Sequence, residues 1–177
     1  RVTDVICGIA TLALDEVGDL IDGVSFGDDM GTQSQSYMGI DLYKELVKPH
    51  HVRFVDVLHK HTDAKVIIHS DGSVRELLPD FIDCGIDVIN PVQVSATGME
   101  PGQLNREFGK YLSFWGGIDT QHVLPWGDEN DVMGAVTGRR KDLGKGGGYV
   151  QASVHNIQSE VPPENVVAMF ETALGRR

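Results

Sequence analysis

The segment Ile68-His69-Ser70-Asp71-Gly72 offers the clearest chemistry in this sequence. It ends a short apolar run that predicts a β-strand, and side chains two positions apart in a strand point to the same side. His69 and Asp71 could therefore bind one metal ion or form a histidine–carboxylate pair. His155, which follows a later predicted strand, could supply a third ligand. Two histidines and one carboxylate suit zinc or iron with open coordination positions.

A simpler interpretation of the same residues needs no metal. Polar residues that follow a strand are commonly turn residues or helix caps. Asp71 would then cap a helix that begins near Ser73, and His69 would only hydrogen-bond to Asp71. The sequence pattern leaves both interpretations open.

Polar clusters follow all five predicted strands, so the segment around His69 is not isolated. The carboxyl ends of parallel strands lie on one face of an α/β protein, where binding sites are built. We therefore expect residues that are far apart in the sequence to converge there. The other clusters are Asp28, Asp29 and Gln33; Asn90 and Gln93; Asp119 and Gln121; and His155 and Asn156.

The elements that would position these residues alternate along the chain. The strands are apolar on both faces and are separated by helical patterns, which is typical of a parallel sheet covered by helices. Pro49 is expected to kink or split the second helix, and Ser73 and Asp128 are candidate helix caps. The predicted strands are 23–26, 65–69, 86–90, 111–115 and 147–153, and the predicted helices are 9–21, 41–61, 74–84, 101–108, 128–143 and 162–174.

The remaining histidines are predicted to be peripheral. Four of them fall on the polar face of the helix predicted over 41–61, where we expect water to surround them, and the fifth follows the Asp119 loop. In chain order they are His50, His51, His59, His61 and His122.

Composition excludes several classes of protein. The net charge of −11 argues against a nucleic-acid binder, because the phosphate backbone would be repelled. No stretch of about 18 apolar residues predicts a membrane span. Cys7 and Cys84 show no metal or redox spacing, and no apolar leader is present, so we expect reduced thiols and a cytoplasmic location.

The five strand-end segments together resemble the uroporphyrinogen decarboxylase superfamily. The resemblance runs from about Asp22 to the C-terminus and implies a (β/α)8 barrel of the TIM type with its site in the barrel mouth. Members include the haem-pathway decarboxylase and corrinoid-linked methyltransferases that use zinc. The motifs of this sequence resemble those of the methyltransferase-like branch more closely. The segments are FGDDMGTQ at 26–33, IHSDG at 68–72, DVINPVQ at 87–93, GGIDTQ at 116–121, and HNIQ at 155–158 followed by VPPEN at 161–165.

The resemblance implies a modified zinc site. The zinc-using methyltransferases carry His-x-Cys and a later Cys. Here His69 matches the histidine, Asp71 replaces the first cysteine and His155 stands at the later one. This set can still hold zinc, although it donates less charge than thiolates and would activate a bound thiol less. We expect Asp28, Asp29 and His155 to be catalytic, and the expected substrate-binding residues are Gln33, Asn90, Gln93, Asp119, Gln121 and Asn156.

Three functions follow from this reading. The first is a metal-assisted, corrinoid-linked methyltransferase, with a corrinoid or other small-molecule substrate and a corrinoid protein as partner. The second is uroporphyrinogen decarboxylation for porphyrin and haem biosynthesis, a carboxy-lyase reaction that needs neither metal nor cofactor. The third is an inactive fragment or a module that binds a corrinoid protein. Members of the family often pair, so a homodimer is also expected.

The length of 177 residues is short for such a barrel, which needs about 250. Five predicted strands and a start at Arg1 instead of Met suggest the last five βα units of eight, so that 1–177 is the C-terminal portion of one barrel domain. An open sheet edge exposes unpaired backbone. We therefore expect either preceding residues or a partner chain to cover the gap.

Overall fold

The computed structural model describes residues 1–176 and contains five parallel β-strands in one sheet. The strands lie in sequence order, so each pairs with the next one along the chain and the helices between them make the crossovers. They are β1 (Gly23–Gly27), β2 (Lys65–His69), β3 (Val88–Val92), β4 (Ser113–Ile118) and β5 (Tyr149–Ser153). The predicted α/β class and all five predicted strands are confirmed.

Eight α-helices accompany the sheet in the described part of the chain. Short 3₁₀ turns precede β1 and α4, at Gly18–Leu20 and Arg75–Leu77. The helices are α1 (Val2–Val17), α2 (Ile40–Leu46), α3 (Lys48–His61), α4 (Leu78–Asp83), α5 (Pro101–Phe108), α6 (Val123–Trp126), α7 (Glu129–Leu143) and α8 (Pro163–Ala173).

The strand register places the carboxyl ends of β1 and β2 level, and likewise those of β4 and β5, whereas the ladder between β3 and β4 shifts between Ile89 and Val92. Gly27 at the end of β1 pairs with His69, and His69 pairs with Asn90 in β3. Farther along, Ile118 at the end of β4 pairs with Ser153 at the end of β5. The predicted convergence of the strand ends therefore rests on an aligned backbone ladder.

Helices cover only one face of the sheet. In β2, Val66 and Ile68 are fully buried against them, whereas Ile67 and His69 point to the other face and stay partly exposed. The strands are apolar on both faces, as predicted, but the second face is less buried in β2 than in β3, where both Val88 and Ile89 are buried. That face carries the candidate site.

The sheet is curved. β2 and β5 are three strand spacings apart, which corresponds to about 14 Å in a flat sheet. The rings of His69 and His155, which belong to the ends of these strands, nevertheless lie with their centroids 6.0 Å apart. Curvature of the sheet and the turn after β5 together close this distance.

Several helix boundaries differ from their predictions. The first helix begins at Val2 and not at 9, and its apolar residues Val2, Val5 and Leu12 remain exposed. The helix predicted over 41–61 is split, as expected, with Pro49 in the first turn of the second part. A proline there costs no hydrogen bond, since its missing N–H would be unpaired anyway.

Ser73 is not a helix cap. Its hydroxyl donates to the carbonyl of Thr97 at 2.7 Å, and the chain forms a 3₁₀ turn before α4 begins. Asp71, the other candidate cap, has no capping bond in this stretch, where the residue before the turn is Val74. The interpretation of Asp71 as a cap is therefore wrong.

No helix in residues 1–176 is both long and apolar enough to cross a membrane. Cys7 and Cys84 are buried free thiols, and burial raises the pKa of the Cys84 thiol. A buried thiol of this kind is held in its neutral form.

The helix cap predicted at Asp128 is confirmed, and its contribution to the stability of the protein can be measured. Its carboxylate accepts the backbone N–H groups of Asn130 (2.8 Å) and Asp131 (3.0 Å), and the Asp131 carboxylate accepts the N–H of Asp128. Asp128→Ala should lower the free energy of unfolding by about 1 kcal/mol, as measured by urea denaturation. Thr137→Ala on the exposed side of the same helix is the control, and equal losses in both variants would contradict the capping role.

Candidate functional site

His69, Asp71 and His155 meet above the carboxyl ends of the strands. Each offers one ligand atom, and these atoms lie within 4.8 Å of one another. The Asp71 Oδ2 atom is 3.3 Å from His69 Nε2 and 3.9 Å from His155 Nε2. Ligands of one zinc ion lie about 3.3 Å apart when each sits about 2.0 Å from the metal. Small side-chain movements would therefore bring the three onto a common ion.

Asn90 determines how His69 presents its ring. The His69 Nδ1 atom lies 2.7 Å from the Asn90 Oδ1 atom, which can only accept a hydrogen bond. Nδ1 therefore carries a proton, and Nε2, 3.3 Å from Asp71 Oδ2, is the ring nitrogen that could bind a metal. Metal-binding histidines are commonly oriented by such a partner, so Asn90 acts through His69 and is not itself a ligand.

The loop that carries Asp71 is attached to the loop after β1. The backbone N–H of Asp71 donates to Asp29 Oδ1 at 3.0 Å, and the N–H of Met30 donates to the buried Ser70 hydroxyl at 2.9 Å. Gly72 has φ +88°, and a Cβ there would lie 2.6 Å from the backbone of Gly31. Only glycine permits this approach.

Two glutamines border the metal-binding atoms on one side. Gln93 is buried, accepts the N–H of Gly72 at 2.7 Å through its Oε1 atom and donates through Nε2 to Gln33 Oε1 at 2.8 Å. This fixes the orientation of both amides. A cavity of about 240 Å³ is lined by Gln33, Asp71, Gln93, Gln121 and His155, among others.

A second and larger space lies on the other side of the same cluster. It measures about 750 Å³ and is lined by Gly27, His69, Asn90, His155 and Asn156, among others. The structure thus brings five of the predicted substrate-binding residues around the ligand atoms. They are Gln33, Asn90, Gln93, Gln121 and Asn156.

Asp119 and Asp29 have local roles in the loops. Asp119 is buried, and its carboxylate accepts the N–H of Gln121 at 2.8 Å, which shapes the turn after β4. Asp29 is bonded to the Asp71 backbone, as described above. Both help to place other site residues.

Asp28 faces away from the metal cluster. Its Oδ2 atom is 3.0 Å from His51 Nε2, and His51 Nδ1 is 2.9 Å from the hydroxyl of Tyr43. His51 is only 5% exposed, so the prediction that it is solvated is wrong. Tyr43, His51, Val55 and Leu58 are spaced by multiples of three or four positions, so His51 lies on the buried face that α2 and α3 share.

Two other histidines predicted to be solvated have partners in the described chain. His61 Nδ1 is 2.8 Å from Asp15 Oδ1, and His50 Nδ1 is 3.0 Å from the Thr3 hydroxyl. Both contacts join α3 to α1, which packs beside it. The partners lie more than 40 positions away in the sequence, so the hydrophobic periodicity of one helix could not predict these contacts.

Comparison with known proteins agrees with this architecture. Residues 22–175 match the family described as uroporphyrinogen decarboxylase (URO-D). Among solved structures, a methyltransferase from Methanosarcina mazei matches with a TM-score of 0.71 and 19% identity over 96% of this chain and 47% of that one. The chain therefore spans about half the length of that methyltransferase. No curated protein matches the sequence.

The bond between Gln93 and Gly72 can be tested without any ligand. Gln93→Leu leaves a buried N–H without an acceptor, which costs about 1–3 kcal/mol of folding free energy. Hydrogen exchange of the Gly72 amide should also accelerate. Gln121→Leu is the matched control, because the exposed Gln121 side chain makes no hydrogen bond in the described part of the chain. Unchanged exchange at Gly72 in Gln93→Leu would contradict this account.

Proposed function

The chain belongs to the uroporphyrinogen decarboxylase family, and from that premise we propose that it forms part of a metal-assisted, corrinoid-linked methyltransferase. We further propose that residues 1–177 are the C-terminal portion of one (β/α)8 barrel domain whose mouth holds the site. The structural similarity to the methyltransferase from Methanosarcina mazei supports the fold that this proposal assumes.

The observation that carries the proposal is the meeting of His69, Asp71 and His155. The donor set fits zinc, since imidazole and carboxylate are ordinary zinc ligands and three protein ligands leave a position for a substrate atom. Bound zinc acts as a Lewis acid that lowers the pKa of an acceptor group. The set contains no thiolate, so the metal would keep more of its positive charge than in a cysteine-rich site.

The side chains around this centre have separable tasks. Asn90 holds the proton on His69 Nδ1, so that Nε2 stays available as a ligand. Asp29 holds the Asp71 loop through its backbone N–H. Gln33 uses its Oε1 atom for Gln93, which leaves its amide N–H groups free to donate to a substrate in the adjoining cavity.

Uroporphyrinogen decarboxylation is the second candidate, supported by the family to which the chain belongs. Its substrate carries many carboxylates and requires cationic partners. The two cavities that border the metal cluster are lined by no lysine or arginine within residues 1–176. The meeting of His69, Asp71 and His155, which decarboxylation without a metal would not use, is the observation that places the methyltransferase first. Release of carbon dioxide from uroporphyrinogen by the full-length protein would reverse the order of the two candidates.

A corrinoid protein is the partner that the methyltransferase proposal requires, and a non-catalytic module binding such a protein is the third candidate. Homodimer formation is proposed from the family resemblance. Corrinoid binding should be compared between the 177-residue chain and its His155→Ala variant. Binding that is lost in the variant requires the His69, Asp71 and His155 group, whereas binding that persists uses another surface.

Zinc binding provides the direct test. The apo chain should take up one zinc ion, and His69→Ala, Asp71→Ala or His155→Ala should abolish this uptake, because each removes a ligand. Asn90→Ala should weaken affinity by about 10–100-fold, since it frees the His69 ring. Metal content after dialysis and competition with a chromophoric chelator measure both effects.

His122→Ala is the matched control, because His122 is an exposed histidine in the loop after β4 and lies outside the metal-binding group. It should bind zinc like the unmodified chain. Zinc content that is unchanged in His69→Ala, or absent from the unmodified chain, would exclude the metal site.

A further inference from the structure

The glycine-rich turn between α7 and β5 has no task in the proposed metal chemistry. Its sequence is Gly144-Lys145-Gly146-Gly147-Gly148, and the φ angles of the last three glycines are +92°, +95° and +73°. The turn precedes a strand, whereas the glycines of a P-loop follow a strand and open a helix. Positive φ angles at three successive positions strongly favour glycine, which leaves the backbone amides of the turn accessible.

This turn lies at the amino ends of the strands, opposite the metal cluster. Lys65 begins β2 and His69 ends it, so the two ends of this strand are about 13 Å apart at about 3.3 Å per residue. Lys65 and Gly148 border one cavity of about 260 Å³ at the amino ends. Its walls are the start of β2, the segment 109–113 after α5, and the glycine-rich turn.

The charged side chains around this cavity carry a net positive charge. Lys65 Nζ is 3.0 Å from Asp87 Oδ1, and Asp87 Oδ2 accepts the N–H of Val66 at 2.9 Å. Both oxygens of that carboxylate are therefore bonded within the protein. The ammonium group of Lys110 has no ion pair or hydrogen bond within residues 1–176. Two cations and one bonded carboxylate thus make a positive surface in a chain whose net charge is −11.

Backbone donors border the same space. Gly147 uses its N–H for the carbonyl of Gly144 at 3.1 Å. By contrast, the N–H groups of Lys110, Gly146 and Gly148 have no acceptor in the described part of the chain. Backbone N–H groups in turns of this kind form anion-binding concavities in many proteins. The cavity therefore offers two kinds of hydrogen-bond donor, ammonium groups and backbone amides.

These donors select an oxyanion. A cation would be repelled by Lys65 and Lys110, and an apolar molecule would leave the buried donors without partners, which costs free energy. A carboxylate offers only two oxygens, whereas a phosphate monoester offers three terminal oxygens and carries about two negative charges near neutral pH. The cavity volume equals that of about nine water molecules, which is enough for a phosphate group.

We propose that this cavity is an anion site that binds a phosphate group, either free or at the end of a phosphate monoester. Lys65 and Lys110 supply the positive charge, and the N–H groups of Gly146 and Gly148 contact the phosphate oxygens. The site goes beyond the proposed metal centre and does not depend on it, because the length of the strands separates the two.

Phosphate binding is tested by titrating the metal-free 177-residue chain with inorganic phosphate at constant ionic strength, with chloride as the reference anion. The amide ¹H–¹⁵N signals of Lys110, Gly146 and Gly148 should move saturably and give one shared dissociation constant. Methyl phosphate is the second probe. Tighter binding of methyl phosphate than of inorganic phosphate assigns the site to a phosphorylated molecule, and weaker binding assigns it to free phosphate.

Lys110→Ala should weaken phosphate binding about tenfold, because it removes a hydrogen bond between two charged groups. Lys110→Arg should retain most of the affinity. Lys60→Ala is the matched control, since Lys60 is an exposed lysine of α3 outside this cavity and its loss changes the net charge equally. This control should bind phosphate like the unmodified chain.

Signals that move linearly with phosphate concentration would overturn the site, and so would equal weakening in Lys110→Ala and Lys60→Ala, which would indicate general charge attraction. His155→Ala separates this inference from the proposed function: it should abolish zinc binding while leaving phosphate binding unchanged. Loss of phosphate binding in His155→Ala would contradict a site at the amino ends of the strands.

Discussion

Hydrogen bonds between the loops after β1 and β2 determine where Asp71 lies, and the candidate metal centre depends on them. Ser70 accepts the Met30 N–H, and Asp29 accepts the Asp71 N–H. These bonds can form because β1 and β2 are paired with their ends level and because Gly72 permits close approach of the two backbones. Without this attachment, a carboxylate on a free loop would lose conformational entropy on binding a metal.

Histidine orientation is controlled from the neighbouring strands in the same way. Asn90 in β3 orients His69 in β2, and the register that pairs these two residues places the amide oxygen beside the ring. On the other side of the β1 end, His51 from α3 holds Asp28. His69, Asp71 and Asp28 are therefore each bonded to a residue of a different element, so their placement depends on the packed sheet and not on any one segment.

The family and the α/β class were readable from the sequence, since five short motifs occur in order and each follows an apolar run. The grouping of His69 with Asp71 was also predicted, but from a strand rule that does not apply to Asp71. β2 ends at His69, and the hydrogen bonds of Asp29 and Ser70 place the Asp71 loop. The cap at Asp128 followed from local residue types. The failures lie where local rules depend on context, as at Ser73, whose hydroxyl bonds to Thr97 from the loop after β3 instead of capping a helix.

What the sequence alone determined is the set of polar residues at the strand ends and the family to which they belong. What only the tertiary structure decided is which of them meet. His155 lies beside Asp71 because the sheet is curved, and Asp28 meets His51 because α3 packs that buried ring against Phe26 near the end of β1. Residue patterns report the local direction of a side chain, whereas curvature and helix packing, which set these distances, arise from contacts across the whole sheet.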